Sequence, residues 1–231
     1  MSQKVIYSPH PRMYFTLLVV LLSIVMILFF FGFIGIAFKK IGLSSGTVIM
    51  ILIGTLVGSL INIPLFKIRS TIPIMKTQEV ELYGFAFKVP TIEEGETHTT
   101  VAINLGGAII PILVSTYIIV KNPDAMFYGI VSTVIVALIT HLVAKPKPGL
   151  GIVSPAFIPP IVAALAALFL PVPSQHQPIV AYVGGVMGTL IGADLTNLHR
   201  ISGLGAQVAS IGGAGTFDGI FLSGILAVIL A

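Results

Sequence analysis

Seven long apolar stretches dominate the sequence of 231 residues. A helix needs about 20 apolar residues to cross the hydrocarbon core of a bilayer. Only 9% of the residues are charged, against about 25% in soluble domains, which excludes a soluble enzyme and a disordered protein. The sequence predicts an all-α, polytopic transmembrane bundle of about seven helices, forming a single integral membrane domain over residues 1–231. The predicted spans are residues 14–38, 47–66, 100–120, 125–143, 150–170, 178–198 and about 207–231.

The distribution of Lys and Arg predicts the orientation of this bundle. Nine of the 12 basic residues lie on the side that holds the N-terminus, and the other three are Lys39, Lys40 and Lys121. Because cytoplasmic loops are enriched in Lys and Arg, we expect the N-terminus in the cytoplasm and the C-terminus outside. The basic residues are scattered over short loops, which favours the lipid bilayer as a partner and argues against nucleic acid.

One polar stretch, residues 67–99, interrupts the apolar pattern and is predicted to be a soluble loop. Apolar residues alternate on both sides of Gly84 within residues 80–89, which predicts a short strand or hairpin that ends at Pro90. An acidic turn follows, with Glu93, Glu94 and Glu96. We expect a small cytoplasmic β-hairpin, either as a link between two helices or as an exposed edge that pairs with an extended peptide.

Two acidic residues fall inside predicted spans, whereas the other six lie in loops. These two are Asp194, in the sixth span, and Asp218, in the seventh. An intramembrane carboxylate costs about 2.5–3.5 kcal/mol on insertion scales, so it indicates a functional site. At 1.5 Å per residue from the span ends, both carboxylates lie at a similar depth near the cytoplasmic face. We expect the two antiparallel helices to bring them face to face.

Glycine is concentrated around both aspartates, and eleven of the 24 glycines lie between Gly184 and Gly224. One interpretation is an unwound, water-accessible pocket beside Asp218, because irregular backbone at membrane depth is tolerated where it lines a wet cavity. In this interpretation the run before Asp218 contacts the substrate. The other interpretation is tight packing of helices through small residues. The candidate substrate-binding residues of this run are Gly213, Gly215 and Thr216.

Three further residues are candidates for the same pocket. Asn104 precedes a Gly-Gly pair and a proline, so it lies in a broken helix that lines the pocket or forms an interhelical hydrogen bond. Asn197 is three residues after Asp194 and therefore on its helix face, as a hydrogen-bonding partner. Pro155 begins a proline-rich segment that leads into the fifth span. This segment is either a loop that faces the substrate or only a break before the helix begins.

The motifs of metal and cofactor enzymes are absent from the sequence. It has no Cys, no HExxH, no His cluster with metal-ligand spacing, no GxSxG elbow and no P-loop. We therefore expect no metal and no cofactor. Paired carboxylates share a proton and activate water for peptide hydrolysis, one as base and one as acid. They also bind and release H⁺ or Na⁺ in transport, and the residue chemistry alone leaves both functions open.

Across nearly its whole length the chain resembles an uncharacterised family of prokaryotic, largely archaeal, multipass membrane proteins, catalogued as a domain of unknown function. The parts that carry this resemblance are residues 192–195, 212–219 and 155–160. The resemblance implies a multipass membrane protein and implies no activity.

The last third of the chain also resembles the intramembrane aspartyl proteases, the presenilin and signal-peptide-peptidase group. That family has one catalytic Asp in a sixth helix and a second in a Gly-x-Gly-Asp motif of the seventh. Asp194 matches the first by helix order. Asp218 matches the second, although two extra residues separate it from the Gly-Ala-Gly at 213–215. Pro155 begins a Pro-Ala-Phe similar to the family's Pro-Ala-Leu, but it precedes the aspartates, and Ala193 replaces a Tyr.

The leading hypothesis is an intramembrane aspartyl protease that cleaves peptide bonds of membrane-embedded, helical substrates with Asp194 and Asp218. The strand at 80–89 would hold the substrate in extended form. The alternative is a cation- or proton-coupled transporter or channel that uses the same pair, with Asn104 and Asn197 as neutral ligands. A structural or assembly subunit, the third possibility, would tolerate the loss of both aspartates.

Overall fold

The structure, a computed structural model, describes residues 11–82, 85–147, 151–203, 206–213 and 218–231. These residues form seven α-helices and five strands, with short 3-10 and π-helical turns between them. The helices are α1 (Pro11–Lys40), α2 (Ser45–Gly58), α3 (Ile110–Lys121), α4 (Met126–Val143), α5 (Ile158–Phe169), α6 (Gln177–Thr189) and α7 (Gly219–Leu230). The strands are β1 (Asn62–Leu82), β2 (Phe85–Asn104), β3 (Lys145–Lys147), β4 (Gly151–Val153) and β5 (Val208–Ile211).

Three helical stretches in the described part of the chain are long and apolar enough to cross a membrane. They are Met13–Lys40, Pro123–Val143 and Ser174–Ile201, which correspond to the first, fourth and sixth predicted spans. The chain is therefore a membrane protein with transmembrane-capable helices. The other four predicted spans contain shorter apolar helices of 10–17 residues. The second span, for example, ends as a helix at Gly58, and strand β1 begins four residues later at Asn62.

Helix α6 is the centre of the bundle and contacts α3, α4, α5 and α7. Its glycines allow this, because they bring bare backbone against two neighbours. A Cβ on Gly185 would lie 2.8 Å from the carbonyl oxygen of Ser223 in α7, and one on Gly188 would lie 2.5 Å from Cβ of Val136 in α4. Tight packing through small residues therefore accounts for the glycines of α6.

Aromatic rings fill the bundle where α1, α6 and α7 meet. Phe38, Tyr182 and Phe221 are fully buried, and the Phe38 ring lies 6.0 Å from the Tyr182 ring and 6.1 Å from the Phe221 ring. Only the last turns of α1 join this core, since the side chains of residues 13–33 are all exposed. An apolar surface of this length is suited to contact with lipid.

The strands β1 and β2 form one long antiparallel hairpin, from the pair Asn62↔Asn104 to the pair Leu82↔Phe85. Strand β5 runs parallel to the last residues of β2, and the described sheet has the order β1-β2-β5. The predicted β-hairpin is therefore present, but an all-α bundle with a small hairpin understates the β structure, because the described sheet has three strands. The predicted end of the hairpin at Pro90 is also wrong, because β2 continues through it and through the three glutamates. A proline is tolerated there because β2 has β1 as its only described neighbour at that point.

The bundle has two different ends. At the first, here called the sheet end, the base of β1 and strand β4 contact the 3-10 helix Leu195–Gly203, and β5 joins β2. At the second, here called the lysine end, the ends of α1 and α3 and the start of α6 surround Lys40 and Lys121. The two aspartates singled out by the sequence belong to the sheet end.

Candidate functional site

Asp194 lies where α6 changes its helical geometry. A π-helical turn, Leu190–Asp194, follows α6, and the 3-10 helix begins directly after it. Within this turn Gly192 packs on α4, and a Cβ there would lie 2.9 Å from Cα of Ala137. The contact fixes the end of α6 on α4, and it leaves Asp194 half-buried beside the loops of the sheet end.

Asp218 is the residue directly before α7. Its backbone is extended, with φ −66° and ψ 163°, and its carbonyl oxygen accepts the N–H of Leu222 at 2.9 Å. The residue is only 8% exposed, and its carboxylate does not cap the helix. The sequence placed Asp218 within a span, whereas α7 begins one residue later and adds about 18 Å of helix above it.

A single cavity of about 230 Å³ brings the two aspartates together. Asp194 and Asp218 both line it, and their carboxylates interact electrostatically. Strand β5 forms one wall, and none of the described lining residues is Lys, Arg or His. A cavity of this size that contains two carboxylates has room for several water molecules. The remaining lining residues are Gly151, Ile152, Leu198, Ile201, Ala206, Val208, Ala209, Ser210, Ile211, Gly212 and Gly213.

Two glycines support the cavity wall beside the carboxylates. Gly212 has φ +69°, a conformation that glycine adopts without strain, and its N–H donates to Oδ2 of Asp194 at 3.3 Å. Gly107 packs against the carbonyl of Gly212, and a Cβ on Gly107 would lie 2.9 Å from Cβ of Asp218. Because neither glycine has a side chain, the backbone at Gly212 can lie this close to the turn before α3.

Asn104 supports this wall from behind and does not line the cavity. Its Oδ1 accepts the N–H of Gly107 at 2.8 Å and so caps the π-helical turn Leu105–Ile109. Its Nδ2 donates to the Ser59 carbonyl at 2.8 Å and to Oδ1 of Asn62 at 3.0 Å. The hydroxyl of Ser210 in β5 donates to the same Asn62 oxygen. Asn104 thus joins α2, the hairpin base and the cavity wall.

A protein-family model matches most of the chain. The model described as "Protein of unknown function (DUF1614)" matches residues 56–230. The chain belongs to the DUF1614 family. This confirms the predicted resemblance to a family of unknown function, and the matched part includes both aspartates and the whole hairpin. No curated protein and no solved structure matches the chain.

The other predicted site residues of this DUF1614 chain have separate places. Asn197 is buried and donates to the carbonyls of Gly192 and Ala193 at 2.9 and 3.0 Å, so it holds the turn that carries Asp194. Gly213 lines the cavity. Pro155 is exposed ahead of α5 and is not among the residues around the cavity. The predicted substrate contacts at Gly215 and Thr216 lie outside the described residues.

Sequence reasoning missed the strand that borders the cavity. Residues 80–89 lie near the far end of the hairpin, about 18 residues or roughly 60 Å from its base, whereas β5 lies at the aspartates. The signal for β5 is weak, since only four residues, Val208–Ile211, stand between glycine-rich segments. Asn62 was also missed, although a polar residue two positions before Pro64 in an apolar stretch signals the end of a span.

Proposed function

We propose that this DUF1614 protein is an intramembrane aspartyl protease, with Asp194 and Asp218 as its catalytic pair. One observation carries the proposal: both carboxylates line a single cavity, and an edge strand forms the wall beside them. Hydrolysis of a peptide bond by this mechanism requires a water molecule, two carboxyl groups and a surface that binds the peptide in extended form.

The two carboxylates supply the acid and the base. Carboxylates that interact in a partly desolvated site titrate as a pair and hold one proton between them. The ionised member takes a proton from a cavity water, and the protonated member gives one to the peptide group. None of the described residues that line the cavity is cationic.

Strand β5 supplies a place for the substrate. Thr100 of β2 donates its N–H to the carbonyl of Gln207 at 3.0 Å, so alternate residues from Gln207 onward face β2. Val208 then presents its backbone groups on the opposite edge, here called the free edge, which pairs with no other strand of the described residues. An extended peptide pairs with such an edge through main-chain hydrogen bonds. A helical substrate has to unwind to do so, which exposes its peptide bonds to the aspartates.

The transport alternative uses the same carboxylates, and the packing of the bundle disfavours an open channel. Between the cavity and the lysine end, the fully buried rings of Phe38, Tyr182 and Phe221 fill the space between α1, α6 and α7. A channel needs a continuous path across the membrane, whereas a coupled transporter alternates between two conformations and is compatible with this packing. We keep transport as the outcome that the experiment must separate.

The proposed orientation follows from charge. The sheet end carries most of the described Lys and Arg, and the lysine end carries Lys39, Lys40 and Lys121. The positive-inside rule then puts the sheet end and the N-terminus in the cytoplasm, and the C-terminus outside. The hairpin and the cavity are cytoplasmic in this arrangement. The partners are the lipid bilayer and a transmembrane helical substrate.

The test uses the full chain in liposomes with a library of single-span peptides, and mass spectrometry detects the products. We expect cleavage by the unmodified protein and its loss in Asp194→Asn and in Asp218→Asn. Asp124→Asn is the matched control, because Asp124 is exposed and lies in the 3-10 turn between α3 and α4. Undiminished cleavage by Asp194→Asn or by Asp218→Asn would contradict the catalytic role of the pair. A pH-sensitive dye inside the liposomes reports proton flux. Flux that depends on the two aspartates, in the absence of cleavage, would establish transport instead.

A further inference from the structure

A second cavity lies at the lysine end of the bundle, away from the aspartates. Its volume is about 380 Å³. The last turn of α1 contributes Lys40 and the last turn of α3 contributes Lys121, while Asn122 and Gln175 add amide groups. None of its lining residues is acidic. Two ammonium groups without a lining carboxylate make this cavity attractive to an anion.

The two lysines are held in place by neutral partners. Lys40 donates to the carbonyl oxygen of Val228 at 3.3 Å, near the end of α7. The Nζ atom of Lys121 lies 5.7 Å from the centroid of the Tyr117 ring, which is cation–π distance. Both contacts position the ammonium groups and neutralise neither, so their charge remains available to a ligand.

An apolar groove leads away from this cavity between α2 and α3. Its volume is about 330 Å³. Leu43 and Tyr117 line both the groove and the lysine cavity, so the two spaces adjoin. Met50, Leu113 and the other groove residues are apolar apart from Thr47 and Tyr117. A charged compartment beside an apolar groove matches a ligand with an anionic head and a hydrocarbon tail.

The position of this composite site agrees with the layers of a membrane. The exposed apolar surface of α1 ends near Lys39 and Lys40, and Gly42, with φ +85°, then turns the chain into α2. Helix α3 ends at Lys121, one turn after Tyr117. Lys and Tyr at the ends of spanning helices lie at the level of the lipid head groups. The lysine cavity is therefore at head-group depth, and the groove runs toward the acyl chains.

We propose that this site binds one anionic phospholipid, with its phosphate between Lys40 and Lys121 and one acyl chain in the α2–α3 groove. Basic pockets between transmembrane helices recognise anionic head groups by charge, and burial of methylene groups in the groove adds an apolar contribution. We assign a lipid and not free phosphate as the occupant, because an apolar groove contributes nothing to the binding of an ion that has no hydrocarbon chain. This site is independent of the aspartate cavity and of the proposed protease activity.

Native mass spectrometry of the full chain from nanodiscs tests this site. The probes are phosphatidylglycerol, phosphatidylcholine with the same acyl chains, and inorganic phosphate. We expect one phosphatidylglycerol retained per chain, at least ten-fold more than phosphatidylcholine, and no displacement by millimolar phosphate. Equal retention of the two lipids overturns the charge recognition, and displacement by phosphate overturns the lipid assignment.

Two pairs of variants separate the head-group and chain contacts. Lys121→Gln, alone and with Lys40→Gln, should abolish selective retention, whereas Lys39→Gln, on an exposed neighbour outside the cavity, should not. Leu113→Trp fills the groove and should release the lipid, whereas Leu138→Trp, on the equally exposed face of α4, should not. The thermal midpoint in phosphatidylcholine nanodiscs checks folding. Lipid loss from the control variants, or retention in the cavity and groove variants, overturns the proposal.

Discussion

The carboxylate of Asp194 accepts a hydrogen bond from the backbone N–H of Gly212, with 3.3 Å between Oδ2 and N. This bond ties the end of α6 to the segment that leads into α7, six residues before Asp218. The same glycine packs on Gly107 of the turn that precedes α3. Three chain segments therefore fix the relative position of the two carboxylates, and each contact depends on bare backbone or on a main-chain group.

Gly107→Ala tests how closely these segments must approach. Its methyl group would collide with the carbonyl of Gly212 and lie 2.9 Å from Cβ of Asp218. We expect a loss of about 1–3 kcal/mol in the free energy of unfolding, as for other overpacked sites. A displacement near 1 Å at a reacting group costs about 10²-fold in rate, so cleavage should fall by about that factor. Thermal unfolding in detergent and a peptide cleavage assay measure the two effects.

The control for this variant is Gly35→Ala in α1. Apart from the adjacent backbone of α1 itself, no described atom lies within 4 Å of the position that its Cβ would occupy, so the substitution should leave cleavage unchanged. Alanine has the higher helix propensity, which should raise stability by up to about 1 kcal/mol. Equal behaviour of the two variants would show that the Gly107 contact does not control the site.

Asn104→Ala removes the side chain that joins the hairpin base to the cavity wall. The Gly107 N–H, the Ser59 carbonyl and Asn62 then lose a partner. Loss of a helix cap costs about 0.5–2 kcal/mol, and each buried polar group left unpaired costs about 1–3 kcal/mol. We expect a lower thermal midpoint and faster hydrogen exchange at residues 105–109.

Asn104→Asp separates the cap from the other contacts of that side chain. It keeps an acceptor for Gly107 but has no N–H group for the Ser59 carbonyl or Asn62. The new carboxylate oxygen would also face these two acceptor oxygens in a buried position, so the thermal midpoint should fall at least as far as in Asn104→Ala, whereas exchange at residues 105–109 should stay close to normal. A midpoint unchanged in both variants would contradict the structural role of Asn104.

The sequence predicted the aspartate pair because charge is rare in this chain. An acidic residue in an apolar stretch is expensive, so Asp194 and Asp218 stand out without any knowledge of the fold. Their neighbours carry no such signal. Gly107 belongs to the site because Gly212, from a distant segment, packs against it. Asn62 belongs to it because its side-chain oxygen accepts hydrogen bonds from both Asn104 and Ser210. Such long-range contacts leave no local pattern.

The fold was predicted best where hydrophobicity alone decides. Span 125–143 agrees with the 3-10 turn and helix from Pro123 to Val143, since nothing in that stretch competes with a helix. The last span was predicted from residue 207, yet it begins with β5, and α7 starts only at Gly219. Apolar, β-branched residues suit a buried strand as well as a helix. Residues 208–211 form a strand because they pair with β2, and this partner lies about 100 residues earlier in the sequence, outside any local pattern.

Shortening the hairpin tests whether its far end holds the substrate. Residues 75–92 are replaced by Asn-Gly, which joins the native pair Ile74↔Glu93 through a two-residue turn. The removed part begins about 13 residues, or roughly 40 Å, from the hairpin base, so we expect unchanged cleavage of short single-span peptides. Loss of cleavage with an unchanged thermal midpoint would restore a substrate-binding role to residues 80–89.

Val208→Pro tests the edge of β5. The substitution removes an N–H that faces the free edge and leaves intact the bond from Thr100 to the Gln207 carbonyl. If an extended substrate pairs there, cleavage should fall by about 10-fold, the equivalent of one hydrogen bond of about 1.5 kcal/mol. Val208→Thr keeps the N–H and the β-branched shape and should cleave normally. Undiminished cleavage by Val208→Pro would place the substrate on another surface.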